Sequence, residues 1–222
     1  MQGDIGDLAP NVRQQFEKLK STLILGATSG GPRAILFSSY NHGEGTSTIV
    51  ANVAAALAQQ KKYRTLVIDA NTRKPGLERI LSESVVTHDI VFSDIVSPEG
   101  SEPISLGKVS ESNFFLIRCG NTSYHPAQTF DHTKFATFVN SAKEVFDFVV
   151  FDSSPIGKYY DAIVLAARMD GVILVTQAEK TPAYELKIAK HTLLERGIPI
   201  LGVVLNRRRF HIPQFVFDRF LR

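Results

Sequence analysis

The sequence predicts one α/β domain, a doubly wound and mainly parallel sheet with helices on both faces. Three observations predict it. Short apolar runs recur along the chain, of the length that suits buried strands. Longer helical stretches separate them, as the crossovers of a parallel sheet require. Three of the runs finish on a polar side chain, Asp69, Asp152 and Asn206. That places all three at the carboxyl ends of strands, where open α/β sheets bind their ligands.

Taken in order, NVRQQFEKLKSTLI (11–24) spaces Val12, Phe16, Leu19 and Leu23 as one face of a helix. AILFSS (34–39) is a strand running into small residues, and an Ala-rich helix over 47–60 follows. TLVIDA (65–70) is a second strand. The polar stretch 82–111 has no clear period, and one short helix is expected in it near 89–96. FFLIRC (114–119) is a third strand, trailed by a Gly/Pro loop as far as Pro126. A helix over 131–145 leads to FDFVVFD (146–152). GVILVTQ (171–177) and ILGVVLN (200–206) are the last strands, with a helix over 182–197 between them. The whole of 1–222 reads as a single domain, with 1–30 as N-terminal helix and linker and 211–222 as a C-terminal amphipathic helix. In that last segment Val216, Phe217, Phe220 and Leu221 share a face. The face suits docking on the domain, on a partner or on a membrane surface.

Composition narrows the function classes. The chain has 222 residues, 44% hydrophobic and 21% charged, as in a folded globular protein. No run reaches the roughly 18–20 apolar residues that span a bilayer, and the start MQGDIGDLAPNVRQQF lacks signal-peptide features. A single cysteine, Cys119, rules out an internal disulfide and a cysteine zinc site. The six histidines show no ligand spacing; His125 and His132 could sit near one another, but a metal site there is not expected. A net charge of +3 is too small to imply nucleic acid, and a cytoplasmic location is expected. NRRRF (206–210) is either a solvated strand end or a contact for phosphate or anionic lipid.

The first strand runs into SSYNHGEGTST. A phosphate loop works because glycines let backbone N–H groups face phosphate oxygens at a helix N-terminus. A lysine then reaches the β- and γ-phosphates, and a hydroxyl ligates magnesium. Gly43, Gly45, Ser47 and Thr48 suit that pattern, but Thr46 stands where the lysine belongs. Taken alone, the stretch equally fits an ordinary strand-to-helix turn capped by Ser or Thr. Two acids at separate strand ends, Asp69 and Asp152, tip the reading toward a magnesium–nucleotide site, since hard cations want oxygen ligands.

ILFSSYNHGEGTSTIVANVAAALAQ, TLVIDANTRKPGL, FDFVVFDSSPIGKYYDAIVLAARMDGVILVTQAEKT and GIPILGVVLNR occur in that order. Together they resemble the cytoplasmic domain of bacterial tyrosine kinases and their relatives in exopolysaccharide and capsule export. These belong to the MinD/ParA-like group of P-loop ATPases. The resemblance covers roughly residues 14–207. It implies a P-loop fold and a site for ATP or ADP with Mg²⁺. Gly43, Glu44, Gly45, Thr46, Ser47 and Thr48 would form the phosphate loop, with Ser47 touching the metal. Asp69 would stand near metal and incoming hydroxyl as the catalytic acid, and Asp152 would be the Walker B acid at the metal. Arg73 would belong to the motif of Asp69, and Asn206 would lie near the adenine. Thr181 matches a recurrent position of unassigned role. The implied partner is an inner-membrane polysaccharide co-polymerase, which would hold the chain at the inner face of the cell membrane. Self-association, and direct membrane contact through 211–222, are compatible with it.

The departures point one way. Thr46 replaces the loop lysine, and Asn41 and His42 offer no substitute earlier in the loop. Asn71 replaces the second acid of the D-x-D pattern. Gln14, Glu17 and Lys20 occupy positions where the family carries Glu, Arg and Arg for ring formation. The last tyrosine is Tyr184, so the tail carries no tyrosine cluster. The expectation is a degenerate member whose phosphoryl transfer is lost or very weak, acting as a regulatory pseudo-ATPase. The alternatives are an active ATPase or tyrosine kinase that borrows Arg73 or Lys74, and a MinD/ParA-like nucleotide switch on membrane. Tyr159 and Tyr160 either line the site or simply pack, and Cys119 reads as a small buried hydrophobe.

Overall fold

Seven parallel strands form one sheet in the order β3-β4-β2-β5-β1-β6-β7. They are β1 (Ala34–Ser39), β2 (Thr65–Ala70), β3 (Val86–Val91), β4 (Phe114–Arg118), β5 (Phe148–Ser153), β6 (Gly171–Gln177) and β7 (Ile200–Asn206). The helices are α1 (Pro10–Thr28), α2 (Thr46–Ala58), α3 (Leu77–Leu81), α4 (Thr133–Val145), α5 (Tyr160–Ala166) and α6 (Ala183–Leu194). The structure, a computed structural model, describes residues 8–28, 30–59, 63–81, 86–91, 113–119 and 133–208. The expected helix at 211–222, His125 and His132 lie outside the described residues.

The strands are apolar throughout because both sheet faces are covered. On one face Ile35, Phe37, Val67, Phe148 and Val150 pack under α2, with Leu23 of α1 and Leu77 of α3. On the other, Leu36, Leu66, Ile68 and Phe151 meet Phe135 and Phe138 of α4, Leu165 of α5 and Leu193 of α6. Phe37, Phe148 and Phe151 are wholly buried, each contributing about 1.5–3 kcal/mol of hydrophobic stabilisation. Helix α2 is buried nearly all round, and its alanines, Ala51, Ala54, Ala55 and Ala56, let it lie close to the strands. On α1, Phe16, Leu19 and Leu23 face the core as the spacing predicts, while Val12 stays at the surface. Lys20 is also buried and pairs with Glu17.

One expectation fails. No helix begins at 89: Val86–Val91 is an edge strand paired with β4, and 92–96 fall outside the described residues. The sequence VTHDIV offers no apolar run, and edge strands commonly carry polar and charged residues that blunt further pairing. Two short helices, α3 and α5, were not legible in the sequence. No helix among the described residues is long and apolar enough to cross a membrane.

Candidate functional site

The chain leaves β1 through a tight loop and enters α2 at Thr46. The N-cap is Gly45, with φ 92° and no side chain capping the helix. That overturns the plain reading of a Ser- or Thr-capped turn: the amides of the first turn have no side-chain acceptor of their own. A Cβ at Gly45 would meet the Asn206 amide nitrogen at 2.2 Å, so both the backbone angle and the space demand glycine.

Glu44 holds the loop from inside. It is 3% exposed, and one carboxylate oxygen accepts the Tyr40 and Asn41 N–H groups, each at 2.9 Å. The other accepts the Thr181 hydroxyl, which in turn accepts the Gln177 N–H at 3.2 Å. Asn206 donates its amide to the Glu44 carbonyl at 2.8 Å, and Arg207 reaches the Gly43 carbonyl at 3.2 Å. Thr181, to which the sequence assigned no chemistry, is therefore a brace of the loop, and the first arginine of NRRRF is a second.

Beneath the loop, Asp69 and Asp152 are register partners on β2 and β5. Asp69 accepts the N–H groups of Asn71 (3.2 Å), Gly76 (3.0 Å) and Leu77 (3.1 Å), which nucleates α3. Asp152 is fully buried, and neither of its oxygens has a hydrogen-bond partner of normal geometry. Burial holds its carboxyl well above the ordinary carboxylate range, and the Asp69 charge adds to that rise. The nearby Ser47 hydroxyl opposes it. The same surroundings push the Cys119 thiol up to about 12, through burial first and then the two aspartates. Cys119 is thus an inert buried thiol, in keeping with its sequence reading.

A cavity of about 190 Å³ opens beside the loop. Gly43, Gly45, Thr46, Ser47 and Thr48 line one wall, and Asn71, Lys74, Gly76 and Arg79 line the other, with Ser39, Ser153 and Pro155 at the base. Asn71 accepts the Ser154 hydroxyl at 3.0 Å and the Lys74 N–H at 3.1 Å through its one side-chain carbonyl oxygen. Five residues expected at the magnesium–nucleotide site do not line this cavity: Glu44, Arg73, Asn206, Asp69 and Asp152. Glu44 and Asn206 stand behind the loop. Arg73 pairs with Asp161 at 3.3 Å and lies over the Tyr159 ring at 4.8 Å. Tyr159 also meets His42 of the loop, hydroxyl to Nε2, at 3.0 Å. Tyr159 thus bridges the loop and the strand-β2 motif, whereas Tyr160 is exposed. Arg79, Ser153 and Pro155 were missed, having no motif of their own in the sequence.

A buried, unpartnered carboxylate beside a serine hydroxyl fits Mg²⁺, which takes one or two carboxylates and fills its shell with water and phosphate oxygens. An uncapped helix N-terminus beside a cavity fits the phosphates themselves. Among the described residues no cluster of three or more His, Cys, Asp or Glu could hold a metal on its own.

No protein-family model matches the chain. It is 29% identical over 196 residues to a putative tyrosine-protein kinase CapB of Staphylococcus aureus, covering 88% of this chain and 84% of that protein. It is 30% identical over 178 residues to the succinoglycan biosynthesis transport protein ExoP of Rhizobium meliloti, covering 79% of this chain but 22% of that one. Among solved structures, the chimerical protein CapA2B2 superposes with a TM-score of 0.76 at 25% identity, over 89% of this chain and 85% of that one. The septum site-determining protein MinD of Pyrococcus horikoshii, complexed with Mg-ADP, shares the fold with a TM-score of 0.63 at 23% identity, over 84% and 76%. By sequence and by architecture, the chain is a bacterial-tyrosine-kinase-like P-loop domain of the MinD/ParA type.

Proposed function

We propose that this chain is a regulatory subunit of exopolysaccharide or capsule export that binds Mg-nucleotide and transfers phosphate weakly or not at all. The observation that carries the reading is the pairing of an intact floor with an uncharged loop. Asp152 and Ser47 stand together under the first turn of α2, while the lysine's station holds Thr46, a buried side chain without charge. Phosphoryl transfer depends on positioning and on stabilising charge at the transferring group. Thr46 can position through its backbone, but it supplies no charge. Asn71 likewise cannot accept a proton as a carboxylate would. Asp69 is the remaining candidate base, and backbone amides already engage it on both oxygens.

When bound, the Mg²⁺ would supply charge neutralisation at the phosphates. The chain's own contributions are narrower. Ser47 and Asp152 would hold the metal, the amides over 43–48 would hold phosphate oxygens, and Glu44, Thr181 and Asn206 would keep the loop shaped for both. The matching stretch of a polysaccharide transport relative supports a place beside a membrane co-polymerase at the inner face of the membrane. Self-association and membrane contact through 211–222 belong to the same proposal.

The test is a phosphotransfer assay with γ-labelled ATP on the purified chain and on Thr46→Lys. The expected outcome is no labelled protein and no turnover above background for the native chain, and a gain in the variant. Turnover by the native chain that Asp152→Asn removes would contradict the reading.

A further inference from the structure

We propose that Lys74 and Arg79, on the wall opposite the phosphate loop, form a cationic anion-binding pair that takes over the charge missing at Thr46. The inference rests on the nucleotide-site reading above and names the side chains that would hold the phosphate chain there.

Both residues line the same cavity as Thr46, Ser47 and Thr48. Their charged ends differ from that of the neighbouring Arg73. Arg73 is held by Asp161 and by the Tyr159 ring. Among the described residues, neither the Lys74 ammonium nor the Arg79 guanidinium takes part in an ion pair, and no acidic side chain lines the cavity beside them. Two cations without a described counter-ion beside a small cavity create a positive potential there, and its natural counter-ion is a multiply charged anion.

The backbone that carries them is fixed. Asp69 accepts the Gly76 and Leu77 amides, and Asn71 accepts the Lys74 amide. Gly76 lies between them: the point where its Cβ would stand is 3.9 Å from an Arg79 guanidinium nitrogen and 3.9 Å from the Ser47 hydroxyl. Arginine and hydroxyl thus flank one location from the two walls. A guanidinium fork can meet two phosphate oxygens, while lysine serves as a point charge. Asn71 completes the wall. As an amide it adds no negative charge beside the cations, and with its oxygen committed to Ser154 and Lys74 it has only its NH₂ group to offer an anion. The predicted ligand is therefore a polyphosphate chain, free or as part of a nucleotide.

The experiment titrates the full chain with inorganic tripolyphosphate and, separately, with Mg-ADP, by calorimetry at low and high salt. The variants are Lys74→Gln, Arg79→Gln, the double variant, Arg79→Lys, and Lys190→Gln as an exposed charge control on α6. Each is first checked for native melting. We expect each single change to weaken both ligands about three- to tenfold, and the double variant more than tenfold. Arg79→Lys should keep part of the affinity, and Lys190→Gln should change nothing. The native chain alone should show tripolyphosphate affinity that falls steeply with salt, a readout independent of the variants. Native affinity in the double variant, or salt-independent tripolyphosphate binding, overturns the proposal. If tripolyphosphate binds and is lost in the double variant while Mg-ADP never binds, the cationic pair stands and the nucleotide reading falls. If the native chain binds neither, both fall.

Discussion

Asp69 and Asp152 stand level on neighbouring strands, yet Asp69 accepts three backbone amides while buried Asp152 has only the Ser47 hydroxyl beside it and no hydrogen bond of normal geometry. A buried carboxylate left without a partner costs stability, of order 1–3 kcal/mol. Such a cost is typical of a site kept for a ligand rather than for the fold.

The first prediction follows directly. Asp152→Asn should stabilise the ligand-free chain by roughly 1–3 kcal/mol, a rise of roughly 2–10 °C in Tm, while abolishing Mg²⁺-dependent nucleotide affinity. Differential scanning calorimetry with and without Mg-ADP reads both halves. A lower Tm in the variant would show that Asp152 stabilises the fold instead.

Acid should act in opposite directions at the two ends of the sheet. At the far end, burial raises the Asp170 pKa, but a hydrogen bond from Lys143 and the amides of Ala34 and Arg33 outweigh it, so the carboxyl sits below its usual range. Its stabilising contribution is complete above the unfolded pKa of about 3.9 and is lost as pH falls through the depressed native value. Asp152 is raised, so its contribution is greatest below about 3.9, falls as pH climbs through the raised native value, and stays at its minimum above it. Melting curves from pH 3 to 8 should show Asp170→Asn losing its deficit against the native chain toward acid. Asp152→Asn should show its advantage growing toward neutral pH. Parallel curves for both variants would contradict the assignment.

The loop depends on Glu44 more than on any residue that faces the cavity. Glu44→Ala removes the acceptor for Tyr40, Asn41 and Thr181 in a buried position. It should cost roughly 2–4 kcal/mol, a fall of roughly 5–10 °C in Tm, and should impair Mg-ADP binding although Glu44 touches no ligand. Thr181→Val should reproduce a smaller part of the loss. A thermal shift assay with a nucleotide titration measures both.

Gly45 allows no substitute. Gly45→Ala places a Cβ on the Asn206 amide at a positive φ, and should cost about 1–3 kcal/mol with loss of nucleotide affinity. Pairing it with Asn206→Ala should recover part of the stability but not the backbone angle. Equal stability of Gly45→Ala and the native chain, by denaturant unfolding, would sink this account of the turn.

Much of this was legible in the residues because central strands are apolar on both faces and announce themselves. AILFSS, TLVIDA, GVILVTQ and ILGVVLN fall within the observed strands residue for residue. VTHDIV did not, because β3 is an edge strand whose pairing with β4 is decided by a distant segment. The helices α3 and α5 are too short to show a period. Leu77 begins α3 because Asp69 receives its amide, a contact across the strand end that sequence spacing does not display. At the site, the motif residues along the loop were readable one by one. Arg73, Lys74 and Arg79 were not sortable, since only the turn through Pro75 and Gly76 decides which of them turns toward the cavity and which toward Asp161.

The central claim is that a Mg-nucleotide cradle persists without its loop lysine, and isothermal titration of Mg-ADP into the native chain tests it most directly. The account predicts one saturable site per chain, in the micromolar to millimolar range, that vanishes when Mg²⁺ is chelated. Absence of saturable heat at concentrations well above a millimolar, with the chain natively folded, would contradict it.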